Sequence, residues 1–216
     1  MKRAYVFLNG ELLGKNEFYL DYIATYPGDI FCGDGGYNHL KKLFLTPLEI
    51  WGDMDSIEKK LLEELENISE TADSKLILKK FSRDKDFTDG ELLISYLNGE
   101  GYKEIVVIGG LGGKKSHELT NLNLLGTYQN LIFLTELEKI FYLKKESVLE
   151  NLKGTTISLI PLASSVKNLN LEGFKFNLKD YTLNLGDSRC ISNTIVESKA
   201  KISYTTGILL GIVERG

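Results

Sequence analysis

Short apolar runs alternate with longer amphipathic segments as far as Leu134, and this alternation limits the possible folds more than any other feature. The apolar runs have the length of buried strands, and they lie at residues 5–8, 30–32, 48–51, 76–78, 105–108 and 131–134. The segments between them with helical character lie at 37–44, 57–68, 88–98 and 118–128. Strands that alternate with helices predict a mostly parallel α/β sheet with helices on both faces. In such sheets, ligands bind at the carboxyl ends of the strands.

After Leu134 the pattern changes to short β-rich runs separated by turn residues. These runs lie at residues 139–143, 155–160, 166–171, 181–185, 199–205 and 208–213. Their spacing is typical of a sandwich or barrel, and no helical stretch is evident. We therefore predict two domains: an α/β domain over 1–134 and an all-β sandwich domain over 135–216.

Composition excludes several classes of protein. A net charge of -4 predicts no nucleic-acid partner, and no apolar run is long enough for a membrane span. The apolar stretch after Met1 is also too short for a signal peptide. Cys32 and Cys190 lie far apart without metal-type spacing, which favours reduced thiols in a cytoplasmic protein.

Two carboxylates follow the third strand in the stretch Gly52-Asp53-Met54-Asp55-Ser56. At a separation of about 5 Å and an effective dielectric of about 20, two such charges repel by roughly 3 kcal/mol. The pair therefore needs a proton, a basic side chain or a hard cation such as Mg²⁺. The alternative is a turn in which Asp55 or Ser56 caps the next helix.

A second acidic cluster precedes the helix predicted at 88–98. Thr88 and Glu91 form a capping-box pattern, which explains those two residues as a helix start. The pattern leaves Lys85, Asp86 and Asp89 without a role. A mixture of anions and a cation at a helix start suits a metal and phosphate site.

A glycine-rich loop, Gly109-Gly110-Leu111-Gly112-Gly113, follows the fifth strand and precedes two lysines. Its free amides could hold phosphate oxygens, although its spacing does not match a P-loop, and the alternative is a tight turn. His117 and Asn121 stand at i, i+4 on the next helix. The Asp34-Gly35-Gly36 loop follows the second strand, so three polar loops share one predicted rim.

The order of these motifs resembles the thiamine pyrophosphokinase family. The matching blocks are Asp34-Gly35-Gly36-Tyr37-Asn38, Gly52-Asp53-Met54-Asp55-Ser56, Lys85-Asp86-Phe87-Thr88-Asp89, Gly112-Gly113-Lys114-Lys115-Ser116-His117 with Asn121, Ser158-Leu159-Ile160-Pro161-Leu162, and Gly186-x-Ser188-x-x-Ile191-Ser192-Asn193. The blocks cover nearly the whole chain. The resemblance implies a homodimer with thiamine bound between subunits, and transfer of diphosphate from ATP to the thiamine hydroxyl with AMP as the other product.

The resemblance also implies roles for individual residues. Catalysis would involve Asp53, Asp55, Lys85, Asp86 and Asp89, with Mg²⁺ held by Asp53, Asp55 and Asp89. ATP and its phosphates would be bound by Asp34, Gly35, Asn38, Thr88, Gly112, Gly113, Lys114 and His117. Thiamine would be bound by Asn121, Ser188, Ser192 and Asn193.

Two positions depart from the family pattern. Lys114 replaces an arginine, which keeps the charge and loses the bidentate fork. Ser116 replaces an aspartate, and a serine cannot act as a base near neutral pH. Asp84, Asp187 or a substrate phosphate could take the proton instead. The alternatives to a kinase are a non-catalytic protein that binds thiamine or thiamine diphosphate, and a metal-dependent phosphohydrolase.

Overall fold

The structure is a computed structural model that describes residues 1–57, 59–70, 76–81 and 86–215. It divides into two compact units. The first contains Met1–Leu124 and Phe133–Glu136, and the second contains Leu125–Ile132 and Leu137–Gly216. No helix within the described part of the chain is long and apolar enough to cross a membrane.

A parallel sheet with helices forms the first unit. Its strands are β1 (Arg3–Phe7), β2 (Asp29–Gly33), β3 (Glu49–Gly52), β4 (Ile77–Lys80), β5 (Glu104–Ile108) and β6 (Leu131–Leu134), the last of which carries the chain from the second unit back into the first. Its helices are α1 (Asn16–Thr25), α2 (Tyr37–Leu43), α3 (Lys59–Ser69), α4 (Asp89–Gly99) and α5 (Lys115–Asn123). Neighbouring strands follow the order β5-β1-β2-β3-β4, and each of these pairs is parallel.

The central strands are apolar on both faces because helices cover both faces of the sheet. Tyr5 of β1 pairs in register with Val106 of β5, and both side chains are fully buried. Such continuous apolar runs are characteristic of parallel strands. Because β1, β2, β3 and β5 run in the same direction, their carboxyl ends meet at one edge, where the polar loops lie.

Two antiparallel sheets form the second unit. Its strands are β7 (Glu138–Leu143), β8 (Glu146–Glu150), β9 (Thr156–Pro161), β10 (Ser165–Glu172), β11 (Leu178–Asn184), β12 (Asn193–Thr194), β13 (Lys199–Ser203) and β14 (Leu209–Glu214). One sheet has the order β12-β9-β14-β7 and the other β11-β10-β13-β8. Buried side chains from both sheets share one core, including Leu159, Leu169 and Ile202. The predicted fold class, an α/β sheet followed by an all-β sandwich, is confirmed.

Four elements differ from the sequence prediction. Helix α1 was not predicted, and neither were the edge strand β8 and the two-residue edge strand β12. The helix expected at 118–128 instead spans Lys115–Asn123 and is followed by a 3-10 turn at Leu124–Gly126. The helix starts earlier because Lys114 is extended and ends the glycine loop directly before it. Leu124 and Leu125 are buried in that turn, so they extended the apolar pattern beyond the helix.

Candidate active site

Asp34 lies at the turn between β2 and α2 and is almost completely buried. Its backbone N–H donates to the Trp51 carbonyl at 2.9 Å, and its Oδ1 accepts from the Gly35 N–H at 2.6 Å. These bonds fix the carboxylate beside the end of β3. Burial raises the pKa of Asp34, the Gly35 hydrogen bond opposes that rise, and the charges of Asp89 and Asp53 add to it.

The loop after β3 brings a second and third carboxylate to the same place. A Cβ added to Gly52 would lie 2.7 Å from Cγ of Asp34, so only glycine allows Asp34 to approach this backbone. The Asp55 N–H donates to Oδ1 of Asp53 at 3.1 Å, and Met54 between them has a φ of 66°. Asp53 therefore forms an Asx-type turn within the acidic loop, which differs from the helix cap by Asp55 or Ser56 that the sequence offered as the alternative.

Asp34, Asp53 and Asp55 form a group that could hold a cation. One carboxylate oxygen from each lies within 4.8 Å of the others. The sequence predicted Asp53, Asp55 and Asp89 as the metal set. The structure brings Asp34 into the group, while Asp89 is near enough for its charge to act on Asp34. Three oxygen ligands with differing burial suit a hard cation that keeps water or substrate oxygens as further ligands.

The glycine-rich loop after β5 lies at the same edge of the sheet as the acids. Gly109 has a φ of 68°, and a Cβ there would lie 2.5 Å from the Leu8 carbonyl oxygen. The loop is bonded to the segment after β1, because the Gly10 N–H donates to the Gly109 carbonyl at 2.7 Å and the Glu11 N–H to the Leu111 carbonyl at 2.9 Å. The helix α5 begins directly afterwards.

A pocket of about 700 Å³ joins these loops within the first unit. Nine of the predicted site residues line it: Asp34, Gly35, Thr88, Asp89, Gly112, Gly113, Lys114, His117 and Asn121. Thr88 is also the N-cap of α4, since its Oγ1 accepts from the Glu91 N–H at 3.2 Å, which confirms the capping prediction for this residue. Nδ2 of Asn121 donates to the Gly110 carbonyl at 2.7 Å, so Asn121 also braces the glycine loop.

Sequence reasoning missed part of this lining. Leu8, Asn9 and Gly10 follow β1, and Thr120 lies on α5 one turn after Ser116. The rule that identified the other loops, a polar break at the carboxyl end of a parallel strand, applies equally to Asn9-Gly10. An asparagine followed by a glycine is also typical of an ordinary turn, so this pattern alone does not indicate a site.

Other predicted residues lie outside the pocket lining, among them Asp53 and Asp55 of the acidic group. Asp86 is exposed before α4, and Nδ2 of Asn38 donates to the Ser56 carbonyl in a long bond of 3.5 Å. Lys85 and Asp84 lie outside the described residues.

The remaining predicted residues belong to the second unit, around the turn before β12. Ser188 and Ser192 are exposed, and the Ser192 N–H donates to Oγ of Ser158 at 2.9 Å. Asn193 is buried, and its amide binds the backbone of Phe176 at both ends: Oδ1 accepts from the N–H at 3.1 Å and Nδ2 donates to the carbonyl at 2.8 Å. The Phe176 ring is 62% exposed beside this turn.

Comparisons with known proteins agree with the sequence motifs. The family model described as "Thiamin pyrophosphokinase, catalytic domain" matches residues 29–133, and that described as "Thiamin pyrophosphokinase, vitamin B1 binding domain" matches residues 141–209. The chain is 28% identical over 208 residues to the thiamine pyrophosphokinase of Bacillus subtilis, covering 94% of this chain and 91% of the relative. It is 28% identical over 207 residues to thiamine pyrophosphokinase 1 of rice (Oryza sativa), covering 82% and 76%.

Solved structures give the same result for the fold. The crystal structure of the Bacillus subtilis thiamine pyrophosphokinase has a TM-score of 0.83 at 25% identity and covers 99% of both chains. That of the thiamin pyrophosphokinase from Geobacillus thermodenitrificans has a TM-score of 0.82 at 24% identity, covering 99% of this chain and 97% of the other. The two family models together match most of the chain in the expected order, and the chain therefore belongs to the thiamin pyrophosphokinase family.

Proposed function

We propose that this family member transfers a diphosphate group from ATP to the hydroxyl group of thiamine, producing thiamine diphosphate and AMP, with Mg²⁺ bound in the pocket described above. The observation that carries the proposal is the arrangement of that pocket. Asp34 and Asp89 line the pocket, Asp53 and Asp55 bring carboxylate oxygens within 4.8 Å of that of Asp34, and a glycine loop followed by lysines forms another part of the lining. Transfer of a phosphoryl-type group depends on charge neutralisation and positioning, which are what such an arrangement supplies.

The acids would hold the metal. Asp34, Asp53 and Asp55 offer oxygens close enough to share one ion, and Asp89 adds negative charge beside them. A bound Mg²⁺ would offset the repulsion among these carboxylates and neutralise phosphate charge as it develops. Asp86 and Lys85 extend the proposed catalytic group on the segment before α4.

The glycine-loop side of the pocket would hold the polyphosphate chain. Backbone amides of Gly112 and Gly113 can donate to phosphate oxygens, and Lys114 supplies a positive charge from the N-cap of α5. His117 lines the same side. Asp34, Gly35, Asn38 and Thr88 complete the set that we assign to the nucleotide.

Thiamine would be bound by Asn121 and by the turn that contains Ser188 and Ser192, as the family resemblance implies. Asn193 would act on thiamine through this turn, because its amide already binds the Phe176 backbone at both ends. We further propose that the protein is a homodimer with thiamine bound between subunits, as the family resemblance implies. A cytoplasmic location is supported by Cys32 and Cys190, which are both buried free thiols.

Ser116 lines the pocket at the position where the family pattern has an aspartate. A hydroxyl can hydrogen-bond to the thiamine hydroxyl, but it cannot take that group's proton near neutral pH. Another acceptor, such as a substrate phosphate, would then serve. This one residue favours the second candidate function, a protein that binds thiamine or its diphosphate without efficient transfer.

The test of the proposal compares two aspartate variants. Asp55→Ala removes a proposed metal ligand from an exposed position, so the fold should persist while formation of thiamine diphosphate falls by at least about 100-fold. Asp21→Ala, on the exposed face of α1, is the matched control and should keep the wild-type rate. An unchanged rate in Asp55→Ala would refute the metal assignment. A wild-type protein that binds thiamine but forms no product would favour the second candidate.

A further inference from the structure

Asn9 occupies a central position in the pocket that the motifs do not account for. It is the second residue after β1, a central strand of the parallel sheet, and its side chain is exposed in the pocket. A Cβ added to Gly35 would lie 2.3 Å from Cγ and 2.5 Å from Nδ2 of Asn9, so the amide lies directly against the Asp34-Gly35 turn. The side chain therefore lies between the acidic turn and the glycine loop.

The backbone around Asn9 is fixed on both sides. The Leu8 N–H donates to the Ile108 carbonyl at 2.9 Å, and the Gly10 N–H donates to the Gly109 carbonyl at 2.7 Å. His39 adds a third restraint, because its Nε2 lies 2.8 Å from the Gly10 carbonyl oxygen and must donate to it. Burial lowers the pKa of His39 and so favours the neutral ring, while the hydrogen bond to Gly10 opposes this shift; in the neutral ring the proton lies on Nε2. Asn9 is thus presented on a rigid segment.

Within the described part of the chain, the Asn9 side chain makes no hydrogen bond, although it packs closely against Gly35. This amide is held in place and lies next to both the proposed metal group and the glycine loop. Its unused donors are therefore suited to bind an oxygen-rich ligand that spans the metal group and the loop.

The charge of this residue is also informative. A lysine or arginine at this position would pair with Asp34 or Asp53 and compete with a cation for their oxygens. A neutral amide offers a donor to phosphate without neutralising those acids. The chemistry therefore favours a ligand with a chain of phosphate oxygens.

We propose that Asn9 is a further nucleotide-binding residue, whose Nδ2 donates a hydrogen bond to a phosphate oxygen of the bound nucleoside triphosphate, and that His39 is a positioning residue for this segment. This inference rests on the proposed function, because it takes the pocket to be the nucleotide site. It assigns a contact on the side of the pocket formed after β1, which the predicted set lacks.

The experiment measures binding of the Mg²⁺ complex of α,β-methylene-ATP by titration calorimetry, since this analogue cannot be cleaved at the bond proposed to break. Asn9→Ala should weaken binding about tenfold, as expected for a hydrogen bond to a charged group. Asn9→Asp, which has the same shape but no donor and adds a negative charge, should weaken it at least as much. Asn98→Ala, at the exposed end of α4, is the control and should bind as the wild type does.

Thiamine binding, measured on the same proteins, separates a local contact from a general loss of structure. We expect it to be unchanged in both Asn9 variants. Equal analogue affinity in wild type and both variants would overturn the proposal for Asn9, as would a parallel loss of thiamine affinity. If the wild type does not bind the analogue at all, the proposed function fails first, and the Asn9 proposal falls with it.

Discussion

Replacing Asp34 by asparagine should have opposite effects on stability in the absence and presence of Mg²⁺. The two side chains have the same shape, and the asparagine oxygen can still accept the hydrogen bond that Asp34 accepts from the Gly35 N–H at 2.6 Å. The substitution therefore removes one charge from the group of three acids and leaves the turn in place. We expect the substitution to raise the free energy of unfolding of the metal-free protein. It should also remove the stabilisation that Mg²⁺ gives the wild type.

The magnitude follows from the spacing of the carboxylates. Their oxygens lie within 4.8 Å of one another. At that separation each pair of charges repels by about 0.9 kcal/mol with the dielectric of water and about 3.5 kcal/mol at an effective dielectric of about 20. Because Asp55 is exposed, its share lies near the lower value. Asp34→Asn should therefore raise the free energy of unfolding of the metal-free protein by about 1–3 kcal/mol at neutral pH.

The pH dependence of this gain has a defined sign. The pKa of Asp34 is raised by burial and by Asp89 and Asp53, so the folded state keeps the proton to higher pH than the unfolded state does. The wild type therefore loses stability as the pH rises from the ordinary aspartate pKa of 3.8 through the raised folded value. The advantage of Asp34→Asn should be present above that window and disappear below it.

Urea denaturation measures both effects. The wild type, Asp34→Asn and the control Asp21→Asn would each be unfolded with EDTA and with 10 mM Mg²⁺, which is roughly the excess needed to saturate a weak site. Mg²⁺ should stabilise the wild type and the Asp21 control but not Asp34→Asn. Equal stabilisation of all three proteins by Mg²⁺ would refute the assignment of Asp34 to the metal group. A less stable metal-free Asp34→Asn would refute the repulsion argument.

Three further predictions concern other parts of the chain. Because burial lowers the pKa of His39, the protein should lose stability as the pH falls below about 6.5, and His39→Gln should reduce that loss in urea titrations. Ser116→Asp should raise kcat for formation of thiamine diphosphate about tenfold if a missing base limits the rate, and an unchanged kcat would show that the lack of a base at this position does not limit it. Asn193→Ala should lower the free energy of unfolding by about 1–3 kcal/mol, because both polar groups of the Phe176 backbone lose their partner. Thermal unfolding measures this change, and a loss below about 0.5 kcal/mol would contradict the role of Asn193 in holding that backbone.

The fold was predictable because its strands are buried on both faces. The apolar runs that became β1, β2, β3, β5 and β6 carry this signal in sequence, and the predicted family and enzyme class are confirmed as well. Helix α1 was missed although Phe18, Tyr19 and Tyr22 have helical spacing. These aromatic residues have modest helix propensity, and Lys15 at the N-cap makes no side-chain capping bond.

The candidate site was predictable in its parts but not in its grouping. Asp34, Asp53 and Asp55 were identified from their positions after strands, and Asp86 and Asp89 from their positions before a helix. Which acids meet depends on strand register: Gly33 pairs with Trp51, and this places Asp34 beside Gly52 and the two acids that follow. Register is fixed by packing across the whole sheet, so the sequence alone could not bring Asp34 into the group. The same limit applied to Asn9.

The most direct measurement of the central claim is the stoichiometry of the products. The purified protein would be incubated with thiamine, ATP and Mg²⁺, and AMP, ADP, phosphate and thiamine diphosphate would be quantified by chromatography, with reactions lacking thiamine or Mg²⁺ as controls. We predict equal amounts of AMP and thiamine diphosphate, formed only when thiamine, ATP and Mg²⁺ are all present. Release of phosphate without thiamine would indicate a hydrolase, and binding of thiamine without either product would contradict diphosphate transfer.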